Sequence, residues 1–204
     1  MTTKDAGFTV TTQEVSVVRR IGVLGCGRIG RMHADLLARE IPGFELVAVA
    51  DLVPEAAQSV ASATGARVET IESLLGATDI DTVAICTSTD THVDLVVAAA
   101  QAGKAIFCEK PVSLDLAAVD RALAAVDAAG VPFMIGFNRR FDPGHKSVRD
   151  AVADRVIGDL HTLRITSRDP APPPPEYVAV SGGIFLDMVI HDFDMARYVV
   201  GSDI

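Results

Sequence analysis

The sequence predicts an α/β fold, a parallel sheet with helices on both faces, followed by an incomplete α+β unit. Three observations carry that expectation. Strand and helix patterns alternate from Arg19 to about Gly136, and such alternation requires right-handed crossovers and a parallel sheet. The first strand, Arg20-Ile-Gly-Val-Leu, runs directly into Gly25-Cys-Gly27-Arg-Ile-Gly30 and a helix. The second strand closes on an acid, Asp51, about 20 residues past the last glycine, the interval a Rossmann-type dinucleotide site requires.

The glycines of this loop have separate tasks. Gly25 permits the tight turn, Gly27 lets a pyrophosphate approach the backbone, and Gly30 lets helix and strand pack closely. The helix beginning at Arg28 and Ile29 aims its unpaired N–H groups and positive dipole end at that phosphate, so no cationic side chain is needed. Asp51 stands where a carboxylate accepts hydrogen bonds from the adenosine ribose. Its charge would repel a 2′-phosphate, and Leu52 and Val53 supply no arginine to hold one. NAD is therefore expected rather than NADP.

The elements follow in order. Strands are expected near 19–24, 44–50, 82–86, 104–107 and 133–136, with a weaker one at Arg67-Val68; helices near 28–40, 54–63, 91–102 and 115–129. Pro54 opens one helix, and Gly65, Gly103 and Gly130 follow helices as C-terminal caps. After Gly136 the pattern changes. Residues 143–155 read as a helix, 160–167 as a strand, Pro170 to Pro175 as a stiff extended run, and Phe185 to Val200 as a helix. The expected division is a loose tail over 1–18, a dinucleotide-binding domain over 19–138, and the start of a substrate and oligomerisation domain over 139–204.

The chain has 204 residues, 49% hydrophobic and 22% charged, as an ordinary globular protein does. A net charge of −9 argues against nucleic-acid binding, which needs cations spread over an extended surface. Cys26, Cys86 and Cys108 are odd in number and form no C-x-x-C pair, so they read as reduced thiols of a cytoplasmic protein. The first residues lack the cationic start and apolar run of a signal peptide. No apolar stretch approaches the ~20 residues of a membrane span.

Further motifs lie downstream. Cys108-Glu109-Lys110-Pro111 follows a strand, Gly136-Phe-Asn-Arg-Arg-Phe-Asp142 follows another, and Ser181-Gly-Gly-Ile-Phe-Leu-Asp187-Met-Val-Ile-His191-Asp-Phe-Asp194 opens the last helix. With the glycine loop, these resemble the Gfo/Idh/MocA oxidoreductases, most closely the inositol 2-dehydrogenase branch, from about Arg20 to Ile204. The resemblance implies that Lys110, Asp187 and His191 form the catalytic trio, that Glu109 reaches the nicotinamide ribose and Lys110 also touches the cofactor, that the Lys110–Pro111 bond is cis, and that Arg139, Arg140 and Asp169, with Asp187, His191 and Asp194, contact a polyol. It implies no metal. Full-length relatives are expected to be homo-oligomers.

The residues themselves support that chemistry. Asp187, His191 and Asp194 recur at helical spacing and fall on one stripe. Oxidising an alcohol needs a base for the hydroxyl proton, and an imidazole with a resting pKa near ~6.5 suits it. Lys110 would favour alkoxide character, and Asp187 would orient the imidazole or accept a substrate hydroxyl. Blander readings stand beside these. Asp187 and His191 also suit a surface helix pair, and with Asp194 a metal site. Lys110 and Glu109 suit solvated strand-end charges, and Arg140 and Asp169 suit surface salt bridges. Thr87 either contacts the cofactor at the carboxyl end of its strand or caps the following helix.

The expected function is NAD-dependent oxidation of a secondary hydroxyl of a cyclic polyol, myo-inositol or a relative, to a ketone. The alternatives are another sugar derivative within the same family, or an NAD-binding protein without turnover. Relatives carry a large, mostly antiparallel sheet in the second domain, and this chain contains only one of its strands, near 160–167. A fragment is expected.

Overall fold

The computed structural model describes residues 18–169, 171–178 and 181–204; the tail expected over 1–18 lies, but for its last residue, outside them. Six strands form one parallel sheet: β1 (Arg19–Leu24), β2 (Phe44–Ala50), β3 (Arg67–Val68), β4 (Thr82–Ile85), β5 (Ala105–Cys108) and β6 (Phe133–Ile135), in the order β3-β2-β1-β4-β5-β6. The order reverses at β1, where the chain leaves for one edge and later returns beside β4 for the other. That switch point opens a crevice at the carboxyl ends of β1 and β4.

Helices cross between the strands: α1 (Arg28–Arg39), α2 (Pro54–Thr64), α3 (Ile71–Gly76), α4 (Thr89–Gln101) and α5 (Leu116–Ala129). The apolar runs Val23-Leu24, Val47 to Ala50 and Val83 to Ile85 are buried, as strands covered on both faces must be. One cluster packs the end of β1 with β2, β4 and β5 against α3, α4 and α5, with Leu24, Leu74, Ile85, Val96 and Ala122 fully shielded. The other packs β1 and β2 against α1 and α2 through Val23, Ala34, Val49, Ala57 and Val60. Helix starts and stops follow local chemistry. Asp115 accepts the Ala117 N–H, and Gly65 and Gly130 close α2 and α5 with φ of +82° and +64°.

The second unit departs from expectation in three places. Residues 160–167, expected as a strand, pair with no strand among the described residues and so form none, since a strand exists only through a ladder with a neighbour. Their alternation still serves packing: Leu163 and Ile165 face Phe193 and Ala196 across an open apolar trough. The expected helix over 185–200 begins instead as a π turn, Phe185–Val189, and continues as α8 (Ile190–Val200). Gly182 and Gly183, at φ +80° and +83°, lead the chain into that turn. Between lie a 3₁₀ turn (Asn138–Phe141), α6 (Pro143–Ala153) and one helical turn, α7 (Pro175–Val178), so the proline run is not extended to its end; Pro170 lies outside the described residues.

Candidate active site

The glycine loop is built for close approach. Gly25 sits at φ +91°, and a Cβ there would lie 2.7 Å from the Cys86 carbonyl carbon, so the turn from β1 presses on the end of β4. A Cβ at Gly30 would lie 1.8 Å from the Gly25 oxygen, which leaves no room for one. At Gly27, by contrast, a Cβ would meet nothing within 4 Å. Gly27 is the N-cap of α1 and offers no side-chain hydrogen bond to the helix, so the amides of Arg28 and Ile29 face the crevice without a protein cap. An open cradle beside uncapped N–H groups fits a pyrophosphate.

Asp51 closes the loop from β2. Its Oδ2 accepts the Cys26 N–H at 2.5 Å and its Oδ1 the Val53 N–H at 2.8 Å, which fixes the carboxylate at the rim where a ribose would lie. Thr87 follows β4. Its hydroxyl accepts from Thr91 Oγ1 at 2.7 Å, while the α4 N-cap is Ser88, which makes no side-chain cap. His92 is buried with Nδ1 2.8 Å from the Pro111 oxygen and Nε2 3.2 Å from the Thr87 oxygen, tying the β4 and β5 loops together.

The motif after β5 faces the last helix across the groove. Lys110 Nζ donates to the Asp187 carbonyl at 2.8 Å and to Asp187 Oδ1 at 3.1 Å, over 77 residues of sequence. The Lys110–Pro111 bond is cis. His191, two residues into α8, meets Phe137 edge to face at 6.3 Å, and its Nδ1 is buried without a hydrogen bond from the described residues. Burial lowers the His191 pKa below the usual imidazole value. The nearby Lys110 ammonium and Arg139 guanidinium push it further down, against smaller opposing effects of Asp192 and Asp187. A neutral, base-competent ring follows at neutral pH.

One extended depression, which also runs past Arg19, Phe44 and Asp81, is lined by Gly25, Gly27, Arg28, Ile29, Asp51 and Thr87 of the loop side and by Glu109, Lys110, Asp187 and His191; Arg139 and Asp169 also line it. Gly30 packs beneath the loop. Arg140 and Asp194 are brought to each other rather than to the groove. Arg140 Nε reaches both Asp194 oxygens, at 3.0 and 2.9 Å, and Nη2 reaches Oδ1 at 2.5 Å. Three residues of α-helix rotate Asp194 about 60° from His191, and it meets Arg140 of the 3₁₀ turn Asn138–Phe141. Of the two acids and the imidazole on the expected stripe, Asp187 and His191 reach the groove and Asp194 does not, and no cluster of His, Cys, Asp and Glu among the described residues is arranged to hold a metal.

Arg139 Nη1 bonds Asp192 Oδ1 at 2.5 Å and Ser167 Oγ at 3.0 Å, anchoring the extended segment over α8. The cysteine thiols are buried and free. Burial pushes Cys26 up to about 11 and Cys108 up to about 12, and Cys86 is raised as well, so none is a reactive thiolate. Sequence reasoning overlooked His33, whose Nε2 lies 2.6 Å from Glu109 Oε1, and Phe137 against His191. The available signal for His33 was its place on α1, three residues past Gly30 and so on the face that packs toward the sheet's carboxyl end.

Comparison with known proteins agrees with this architecture. Residues 19–137 match the family model described as an oxidoreductase family with an NAD-binding Rossmann fold, and residues 145–204 match the GFO/IDH/MocA C-terminal domain. An inositol 2-dehydrogenase of Rhizobium meliloti strain 1021 is 52% identical over 90% of this chain and 56% of its own length. A myo-inositol 2-dehydrogenase of Thermotoga maritima is 48% identical over 91% of this chain and 56% of its own. The crystal structure of a myo-inositol dehydrogenase from Corynebacterium glutamicum superposes with a TM-score of 0.83 at 44% identity, covering 89% of this chain and 55% of that one. The chain thus spans about half the length of these relatives. With a family model matched over 19–137 and a parallel sheet bearing the glycine loop, the chain belongs to the GFO/IDH/MocA oxidoreductases.

Proposed function

We propose that this chain carries the cofactor site and the acid–base residues of an NAD-dependent dehydrogenase that oxidises a secondary hydroxyl of a cyclic polyol, with myo-inositol as the leading substrate. The observation that supports it most is the meeting of Lys110, Asp187 and His191 on one groove with the open glycine cradle. The names of the relatives, inositol dehydrogenases at 52% and 48% identity, support a cyclic polyol as substrate.

The chain's own groups divide the work. NAD, when bound, supplies the hydride acceptor. The neutral imidazole of His191 takes the hydroxyl proton, and its low basicity in the free site rises as negative charge grows on the neighbouring oxygen. Lys110 uses two donors on Asp187 and keeps a third N–H for that oxygen, stabilising alkoxide character. Asp187 holds the ammonium in place. Phe137 holds the plane of the His191 ring. Arg139 and Asp169, on the groove wall, suit a ligand with many hydroxyls. In the reducing direction His191 returns the proton.

A small molecule is the expected partner, with homo-oligomers of the full-length protein, and the free thiols suit a reducing cytoplasm. Among the described residues no helix is long and apolar enough to cross a membrane. The test mixes purified chain with NAD and myo-inositol and follows absorbance of NADH. Polyol-dependent NADH formation that disappears in His191→Ala, with NADH binding retained by fluorescence, is the expected result. NADH binding without turnover on any polyol or sugar would replace the dehydrogenase reading with a binding role.

A further inference from the structure

Glu109 opens the Glu-Lys-Pro segment, yet its side chain is held from two other elements. His33, three residues past Gly30 on α1, sets Nε2 2.6 Å from Glu109 Oε1, and both side chains are 21% exposed. The His33 ring stands edge-on to Phe107 of β5, with 5.2 Å between centroids and an interplanar angle of 65°. Packing thus fixes the ring plane as the hydrogen bond fixes its edge. On the opposite side, a Cβ at Gly136 would come within 3.0 Å of Glu109 Oε2 and 3.1 Å of Phe107 Cζ. Three segments therefore close on one carboxylate: α1, the end of β5 and the turn after β6.

A carboxylate offers only acceptor atoms, so Nε2 carries the proton in this contact and Oε1 is occupied. Oε2 keeps its lone pairs for a diol. Glu109 lines the groove one residue before Lys110, and His33 lines it one turn past the pyrophosphate cradle. Without His33 the Glu109 side chain regains rotamer freedom that any bound ribose must then remove. We propose that His33 is a positioning residue that locks Glu109 to accept hydrogen bonds from the ribose beside the nicotinamide. The proposal rests on the NAD-dependent reading above and adds to it the residue that orders the acceptor.

A double-mutant cycle in NADH affinity, read by nicotinamide fluorescence on the whole chain, tests it. His33→Phe keeps the ring against Phe107 and removes the donor; it is expected to weaken NADH binding about tenfold, the scale of a hydrogen bond to a charged group. His33→Gln, which restores an N–H, is expected to recover most of that loss. Glu109→Ala is expected to weaken binding comparably, and His33→Phe in the Glu109→Ala background to add nothing. Gly136→Ala crowds Oε2 without touching His33 and is expected to lower affinity only while Glu109 is present, which keeps the test available if His33→Phe does not fold. Wild-type affinity in His33→Phe, or additive losses in the double variant, overturns the positioning role alone. Failure of the unsubstituted chain to bind NADH overturns the cofactor reading, and this proposal with it.

Discussion

Lys110 Nζ lies 2.8 Å from the Asp187 carbonyl and 3.1 Å from Asp187 Oδ1, so the end of β5 is fastened to the π turn that opens the last helix. Both partners of the contact come from a single residue, which holds the ammonium by main chain and side chain together. A π turn widens the helix by one residue and is common where a side chain must be re-aimed at a site.

Replacing Lys110 by Met should separate chemistry from cofactor binding. Without the ammonium the developing negative charge on the substrate oxygen loses its nearest cation, and polyol-dependent NADH formation should fall by about 10²- to 10⁴-fold. NADH affinity should stay within a few-fold of the parent. Asp187, three-quarters shielded, also loses a charged partner, at about 1–3 kcal/mol of stability by urea unfolding. A variant that retains a tenth of the parental rate would remove Lys110 from the mechanism.

His191 should titrate below an ordinary histidine. Its pKa is lowered by burial first, then by Lys110 and Arg139. A base with a depressed folded-state pKa binds fewer protons folded than unfolded, so its burial costs nothing above the unfolded value near ~6.5 and destabilises the fold as pH drops through and below it. An NMR titration of the imidazole should give a midpoint under 6.5. Arg139→Gln should raise that midpoint; a fall on removing the guanidinium would reverse the electrostatic account.

The loop glycines should respond differently to the same added methyl. At Gly30 the Cβ would stand 1.8 Å from the Gly25 oxygen, so Gly30→Ala must displace backbone and should lose several kcal/mol, of the order of ~3, together with NADH binding. Gly27→Ala meets no protein atom within 4 Å and should melt within a degree or two of the parent. Its NADH affinity should nonetheless collapse, because the methyl occupies the phosphate's place. Calorimetric melting beside fluorescence titration separates the two; a Gly27→Ala chain that binds NADH normally would empty the cradle of its meaning.

These contrasts mark where local sequence pattern speaks and where it is silent. Five of the six strands were legible as apolar runs, while the two-residue β3, Arg67-Val68, exposed at both positions, gave only a weak signal. The helix α3 was not legible, since six residues are too short for a helical period to declare itself; Thr70, whose hydroxyl accepts the Ser73 N–H at 3.1 Å, was the only flag. The glycine loop and Asp51 were readable from spacing. Lys110 opposite Asp187 was not, for 77 residues separate them and only the resemblance joined them. The π turn leaves no mark on apolar spacing, and the three-residue step along α8 from His191 to Asp194, read as part of one stripe, instead turns Asp194 to Arg140. His33 and Glu109 stand 76 residues apart, and neither carries a local signal for the other.

The pairing of Arg140 with Asp194 makes the last prediction one of stability rather than substrate affinity. Asp194 is 8% exposed, and both its oxygens are taken by the one guanidinium. Arg140 and Arg149 each also lie 5.5 Å from the centre of the Tyr198 ring, so the cluster binds α6 and the turn before it to α8. Removing the cation leaves a buried carboxylate uncompensated, which costs about 3 kcal/mol. Arg140→Met should therefore unfold at markedly lower urea, while Arg140→Met/Asp194→Leu, with no orphaned charge, should recover much of the loss. Because α8 carries His191, turnover should fall in proportion to folded fraction, with the KM for polyol little changed. A large rise in that KM at unaltered stability would instead place Arg140 in contact with substrate.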